Sequence, residues 1–163
     1  MPELPGPGAA APRFLLPDSP TTSLGLADFQ GRWLVISFHV ADWDPVAESQ
    51  LRSLSGAAGA LRDQGIGIVS VSPDTIWSHA AFARAAGITI PLLADDDPPG
   101  ATAAAYGTGS RRGGRALLLV DPTGLVRWSQ LVDRRVDPGI DGLLSALERL
   151  IPMPRQSHER TQP

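Results

Sequence analysis

The segment FHVADWDPVAESQ, residues 38–50, holds the side chains best placed by type to do chemistry. His39 has an ordinary pKa of about 6.5 and is the natural general base near neutrality. Asp44 precedes Pro45, and aspartate at an N-cap followed by proline in the first turn is a favoured helix start. A helix beginning there points its unpaired backbone N–H groups, and the positive end of its dipole, at whatever lies before it. That is an anion or carbonyl-oxygen site. Yet the first turn contains Ala47, which has no reactive atom. Asp44 has two compatible readings, a cap on the helix and a carboxylate lining a pocket. A capping carboxylate already accepts N–H bonds, so it is a weak base, and capping is the favoured reading. Alternation along the preceding strand is expected to turn His39 away, toward solvent or a partner subunit; the competing reading makes it the base of the site.

The rest of the composition removes whole classes of chemistry. The chain has 163 residues and no cysteine, so disulfides, thiolate nucleophiles and thiolate-bound metals are excluded. All fourteen basic residues are arginine, which excludes Schiff-base lysine catalysis. The three histidines, His39, His79 and His158, stand at no metal-ligand spacing, so no metal and no cofactor is expected. A net charge of −3 draws the chain to neither nucleic acid nor anionic lipid. The N-terminus lacks the basic and apolar regions of a signal peptide and no apolar run is long enough to span a bilayer, so a cytoplasmic location is expected.

The elements that must position these residues alternate along the chain. Residues 1–12 and 152–163 are rich in Pro, Gly and polar residues and read as flexible, leaving a domain over 13–151. Trp33 to Val40 is a continuous apolar strand of the kind buried on both faces. A helix follows over about 45–62, with Ala47, Leu51, Leu54, Ala58 and Leu61 along one face. GIGIVSVS (65–72) is a second strand. A helix capped at Asp74 and stopped at Gly87 comes next, then ITIPLLAD (88–95), whose Pro91 predicts an edge strand. Residues 99–105 form a short helix. RALLLV and LVRWSQLV flank the turn DPTG (121–124) as a hairpin, and a last helix over 139–151 turns Ile140, Leu143, Leu144, Leu147 and Leu150 inward. Strands and helices in this order make an α/β domain with a mixed sheet covered on both faces, suited to a thioredoxin-like fold.

Five segments, APRFLLPDS, FHVADWDPVAESQL, VSPDTIWSHAAFARAAGITIPLLAD, AAAYG and RALLLVDPTGLVRW, resemble in order and spacing the peroxiredoxins of the alkyl hydroperoxide reductase/thiol-specific antioxidant family. The family site pattern is Pro-x-x-x-Thr-x-x-Cys with a distant Arg. Mapped onto this chain, Val40 stands at the Pro, Asp44 at the Thr and Ala47 at the peroxidatic Cys, while Arg115 keeps the Arg. The WSH stretch of the second helix has Ser78 where some relatives carry a resolving cysteine. The resemblance implies that Arg115 points at the start of the first long helix. There it either pairs with Asp44, leaving the site inert, or joins the helix N–H groups in holding an anion or a carbonyl oxygen.

The resemblance further places Trp43 and Trp77 beside the site, as walls of a small-molecule pocket or as contacts of a homodimer; core packing is the plainer alternative. His79 reads as packing or interface, Glu48 and Gln50 as solvated helix residues. The loop YGTGSRRGGR (106–115) precedes a strand rather than a helix and reads as flexible.

Two functions compete. One is a repurposed enzyme that binds a small organic metabolite at Val40, Trp43, Ala47 and Trp77 and works on it, in a biosynthetic setting, by acid–base or rearrangement chemistry through Arg115, Asp44 and His39. The other is a non-catalytic binding or scaffold subunit. A peroxidase trapped by a Cys-to-Ala change would explain Ala47 alone but not Val40, Asp44 and Ser78. Restoring the thiol tests this. Ala47→Cys should recover little hydroperoxide turnover, because the carboxylate of Asp44 raises the pKa of a neighbouring thiol; turnover near that of a thiol peroxidase in a stopped-flow assay would show a site otherwise intact.

Overall fold

The structure is a computed structural model, which describes residues 2–109 and 114–152. Its centre is a five-stranded sheet in the order β5-β4-β3-β6-β7, built from β3 (Leu34–Phe38), β4 (Gly67–Ser72), β5 (Leu92–Ala94), β6 (Arg115–Val120) and β7 (Val126–Val132). β3 pairs parallel with β4 and antiparallel with β6, so the sheet is mixed. β3, β4 and β6 are buried throughout, as continuous apolar runs require. β5 is an edge strand of only three residues beginning after Pro91, which matches the positional meaning of that proline. A separate hairpin, β1 (Leu15–Pro17) with β2 (Ser23–Gly25), precedes the sheet.

Alternation along the strands divides the core in two. Val35, Ile68, Leu117 and Leu119 meet α1 (Pro45–Asp63), α2 (Ile76–Ala86) and α4 (Asp141–Leu150) on one face. Ile36, Val69, Leu118 and Val120 face the other side, where Phe14, Phe29 and Tyr106 cover them together with the short α3 (Ala101–Ala105). The five apolar residues expected along α1 are all buried, and Gln50, expected in solvent, is buried with them at 1% exposure. In α4 the inward face is Leu143, Ala146 and Leu147; Leu144 is exposed instead, since at 3.6 residues per turn it falls on the flank of that stripe. α2 is capped by Thr75, whose side chain accepts from the Ser78 N–H, and ends at Gly87 in the left-handed conformation. Asp74, the expected cap, is engaged elsewhere.

Residues before 13 are not free. Gly8 N–H donates to the Val126 carbonyl, Val126 N–H to Ala9 and Ala11 N–H to Gly124, which adds the N-terminal segment to the end of the hairpin. Gly107, with φ +74°, lets the backbone at Glu3 and Leu4 pass where a Cβ would stand 2.4 Å from the carbonyl carbon of Glu3. The flexible start expected from composition is therefore a docked strap, held by backbone hydrogen bonds that composition does not encode. Of the expected tail, residues 153–163 lie outside the described residues, as do 110–113 of the Gly/Arg loop. Among the described residues no helix is long and apolar enough to cross a membrane.

The β6–β7 turn is organised by Asp121. Its Oδ1 accepts from the N–H groups of Thr123 and Leu125 and from the Thr123 hydroxyl, at 2.9, 3.1 and 2.6 Å. Burial pushes this carboxyl up, but these bonds and Arg127 outweigh it and hold it below its ordinary value of 3.8. A lowered folded-state pKa stabilises the fold above that value, and the contribution is lost as pH falls below it. Asp121→Asn should cost about 1–2 kcal/mol at neutral pH. The difference from the parent, read by urea unfolding, should shrink as pH drops below 3.8; a difference independent of pH would contradict the assignment.

Candidate functional site

β3 delivers the chain to residue 39, and the ADWD turn then reverses it into α1. Trp43 in that turn has φ +66°, a left-handed conformation rare for a bulky residue, and its ring packs edge-on against Phe82 at 5.4 Å. Holding Trp43 there costs on the order of 1–3 kcal/mol, and such strain concentrates where a turn must aim particular side chains. Here the turn aims two carboxylates in two directions.

Asp44 faces α1. Its Oδ1 accepts from the Val46 N–H as an N-cap, and its Oδ2 pairs with Arg115 Nη2. Arg115 opens β6 and is 1% exposed, the largest fully buried side chain among the described residues. Its Nε donates to the Arg134 carbonyl at 2.8 Å, while Nη1, also buried, has no partner among the described residues. Ala47 is buried at 0%. The ion pair and the cap coexist in one carboxylate, so the capping and pairing expectations for Asp44 and Arg115 describe parts of the same arrangement.

Asp42 faces the other way, into a buried polar cluster. Its Oδ1 lies 2.9 Å from His39 Nε2, and its Oδ2 lies 2.7 Å from His79 Nδ1 and accepts from Ser78 Oγ at 2.9 Å. Asp74 accepts at Oδ2 from the Asp42 N–H and from Ser72 Oγ. Behind His39, a line of hydroxyls crosses the sheet: His39 Nδ1 to Ser70 Oγ at 2.8 Å, Ser70 Oγ to Ser37 Oγ at 3.0 Å, and Gln50 Nε2 to Ser37 Oγ at 3.0 Å.

Burial lowers the pKa of His39, against the pull of Asp42. For Asp42 burial acts upward, but the hydrogen bonds from His39 and His79 win and hold it well below the carboxylate range.

His39 is 3% exposed and is turned neither to solvent nor to a partner, because strand alternation sends it inward beside Ser37, toward Ser70. Nor does it join Arg115: no hydrogen bond connects it with Asp44 or Arg115 among the described residues, and the expected trio divides in two. His79, read as packing or interface, is 3% exposed and packs within the cluster, and Ser78 belongs to it as well. Asp42 was not singled out by sequence reasoning, and Asp74 only as a helix cap. The available signal was the turn geometry of ADWD and of SPD, where short acidic side chains bond nearby backbone. Trp43 and Trp77 are 56% and 69% exposed and Val40 is half-buried, so neither tryptophan is core.

With this geometry in hand, comparison with known proteins identifies the class. The AhpC/TSA family model matches residues 7–129. A peroxiredoxin of Schizosaccharomyces pombe is 31% identical over 133 residues, covering 76% of this chain and 68% of its own length. A putative peroxiredoxin of Mycobacterium tuberculosis is 37% identical over 102 residues, with 62% of this chain and 65% of that protein covered. Among solved structures, Mycobacterium tuberculosis AhpC superposes with a TM-score of 0.79 at 20% identity, covering 90% of this chain and 93% of its own, and Enterococcus faecalis AhpC with 0.78 at 24%, covering 90% and 92%. The fold is thioredoxin-like, of the peroxiredoxin type. The chain belongs to the AhpC/TSA family and lacks the cysteines on which that family's thiol chemistry rests.

The buried guanidinium gives a direct test of the site's construction. Asp44→Ala removes the cap and leaves Arg115 without its counter-charge, and should cost about 3 kcal/mol. Asp44→Ala combined with Arg115→Met should recover most of that loss in urea unfolding. A double variant no more stable than Asp44→Ala would show that the pair is not coupled.

Proposed function

We propose that this chain is a peroxiredoxin-fold protein without thiol peroxidase activity whose former peroxide pocket receives a small oxygen-bearing organic metabolite and acts on it by acid–base chemistry. The observation that carries the reading is Arg115: a buried guanidinium at the start of α1 with one N–H-bearing nitrogen, Nη1, unpartnered among the described residues. Leaving such a donor unmade costs about 1–3 kcal/mol, which an oxygen acceptor bound beside it would recover. Asp44 stands next to it with its side chain 31% exposed, reachable from solvent. Together they offer a donor and an acceptor to one ligand. The carboxylate disfavours an anion, so the ligand is a neutral carbonyl or hydroxyl compound. Trp43, Trp77, Val40 and Ala47 wall the approach, and Arg115 polarises the oxygen while Asp44 moves a proton. His39, enclosed at both ring nitrogens, serves the arrangement from behind and does not touch the ligand. A cytoplasmic protein of a biosynthetic pathway is the setting that fits.

A second reading, a non-catalytic homodimer or scaffold subunit, is favoured by the two exposed tryptophans. Ligand-dependent melting distinguishes the two. Neutral carbonyl and hydroxyl metabolites should raise the melting temperature of the parent, since a ligand that binds only the folded chain stabilises it. Arg115→Lys, which keeps the charge but not the planar fork, should weaken binding at least about tenfold, and Asp44→Asn should spare binding but remove turnover. No stabilisation by any such compound, with a stable dimer by light scattering, would replace the first reading with the second.

A further inference from the structure

We propose that His39, Asp42, Asp74 and His79 form a binding site for one divalent transition-metal ion of the zinc type, separate from the Asp44–Arg115 pocket. One ligand atom from each of the four lies within 4.8 Å of the others. A tetrahedral zinc site with bonds of about 2.0–2.1 Å sets its ligands about 3.3 Å apart. The His39 and His79 contacts with Asp42, 2.9 and 2.7 Å, run to its two different oxygens, so a site taking one oxygen from Asp42 must re-space them, and separations of up to 4.8 Å must close toward the tetrahedral value. Rotation of the Asp42 carboxylate toward one oxygen ligand opens the required space.

Groups outside the cluster orient the ligands. His79 Nε2 is 3.1 Å from the Leu93 carbonyl, which can only accept, so the proton sits on Nε2. The other nitrogen, Nδ1, then faces an Asp42 oxygen, and that contact needs either a second ring proton or a cation. His39 is held at Nδ1 by Ser70, whose hydroxyl can accept from the ring while donating to the Ser37 carbonyl at 3.3 Å. In that tautomer, taken up when a metal binds, Nε2 turns a lone pair to the cluster in place of the N–H that it donates to Asp42 in the metal-free chain. A metal-bound histidine has this arrangement, its second nitrogen donating to a carbonyl or hydroxyl.

Charge points the same way. With His79 doubly protonated and His39 neutral, two carboxylates leave one negative charge uncompensated in a largely buried place. A divalent ion with both rings neutral leaves none. Two imidazoles and two carboxylates suit zinc among the common ions, and four protein ligands close the tetrahedron as in a structural site. Asp74, half-buried, gives the ion its way in.

The test uses the full chain stripped of metal with a chelator and titrated with Co²⁺, then with Zn²⁺. We expect one Co²⁺ per chain with the intense visible bands of tetrahedral cobalt, displaced by one Zn²⁺, and a melting temperature raised by Zn²⁺. Asp74→Asn, a near-isosteric change at a half-buried position, should lower zinc affinity by at least ~10-fold, and His79→Gln should abolish the spectrum. His158→Ala should change nothing. Absence of binding, the pale spectrum of octahedral cobalt, or zinc affinity unaltered by Asp74→Asn would overturn the site. If His79→Gln does not fold by circular dichroism, the parent spectrum and Asp74→Asn decide.

Discussion

A guanidinium kept at 1% exposure is the constraint around which the carboxyl-terminal end of the sheet is arranged. Arginine cannot shed its proton, so a chain that buries one must surround it with acceptors. Asp44 supplies the counter-charge and the Arg134 carbonyl a second acceptor. Both come from segments just beyond strand ends, and both must arrive in register. Asp44 can do so only because Pro45 starts the helix immediately after it and because the ADWD turn, with Trp43 left-handed, reverses the chain in so few residues. Cap, turn and ion pair are thus one device. The device is complete without a thiol at position 47.

The same turn explains why there are two polar clusters and not one. Asp42 and Asp44 are two residues apart on either side of Trp43, and their side chains diverge. Asp42 goes beneath the sheet end to His39, Ser78 and His79; Asp44 goes over α1 to Arg115. The line from Gln50 through Ser37 and Ser70 to His39 threads the core face that is otherwise leucine, isoleucine and valine. The hydroxyls and rings of this line are partnered, whereas the Gln50 Oε1 has no partner among the described residues, and such hydrogen bonds favour one arrangement of strands and helices over near alternatives.

Much of this was legible in the chain before folding. The strand 33–40, the helix from Pro45, the DPTG hairpin and the stop at Gly87 follow from local rules of burial period, capping and turn chemistry, and the family likeness supplied Arg115 across 71 residues of separation. The failures share one cause. His39 and Gln50 are polar residues judged by their own side chains, whereas their positions were decided by partners distant in sequence: Ser70 for His39 and Ser37 for Gln50. A polar side chain on an inward position reads as exposed until its partner is known. The docking of the N-terminal strap is hidden likewise, since backbone bonds to Gly124 and Val126 leave no trace in composition.

Divergence at the old site also has an internal logic that a single engineered change lacks. A carboxylate at position 44 would hinder a thiolate at position 47 by like-charge repulsion, so the two residues are poor companions in a working thiol peroxidase. With Ala47 in place the repulsion vanishes and the carboxylate is free to take the arginine for itself. Val40, where the family has its proline, and Ser78, where some relatives have the second cysteine, extend the replacement to positions that an isolated alanine substitution would not disturb. Ser78 is moreover put to use, donating to Asp42 in a cluster that has no need of sulfur. Arg115 Nη1 is the donor of that pair left without a partner among the described residues.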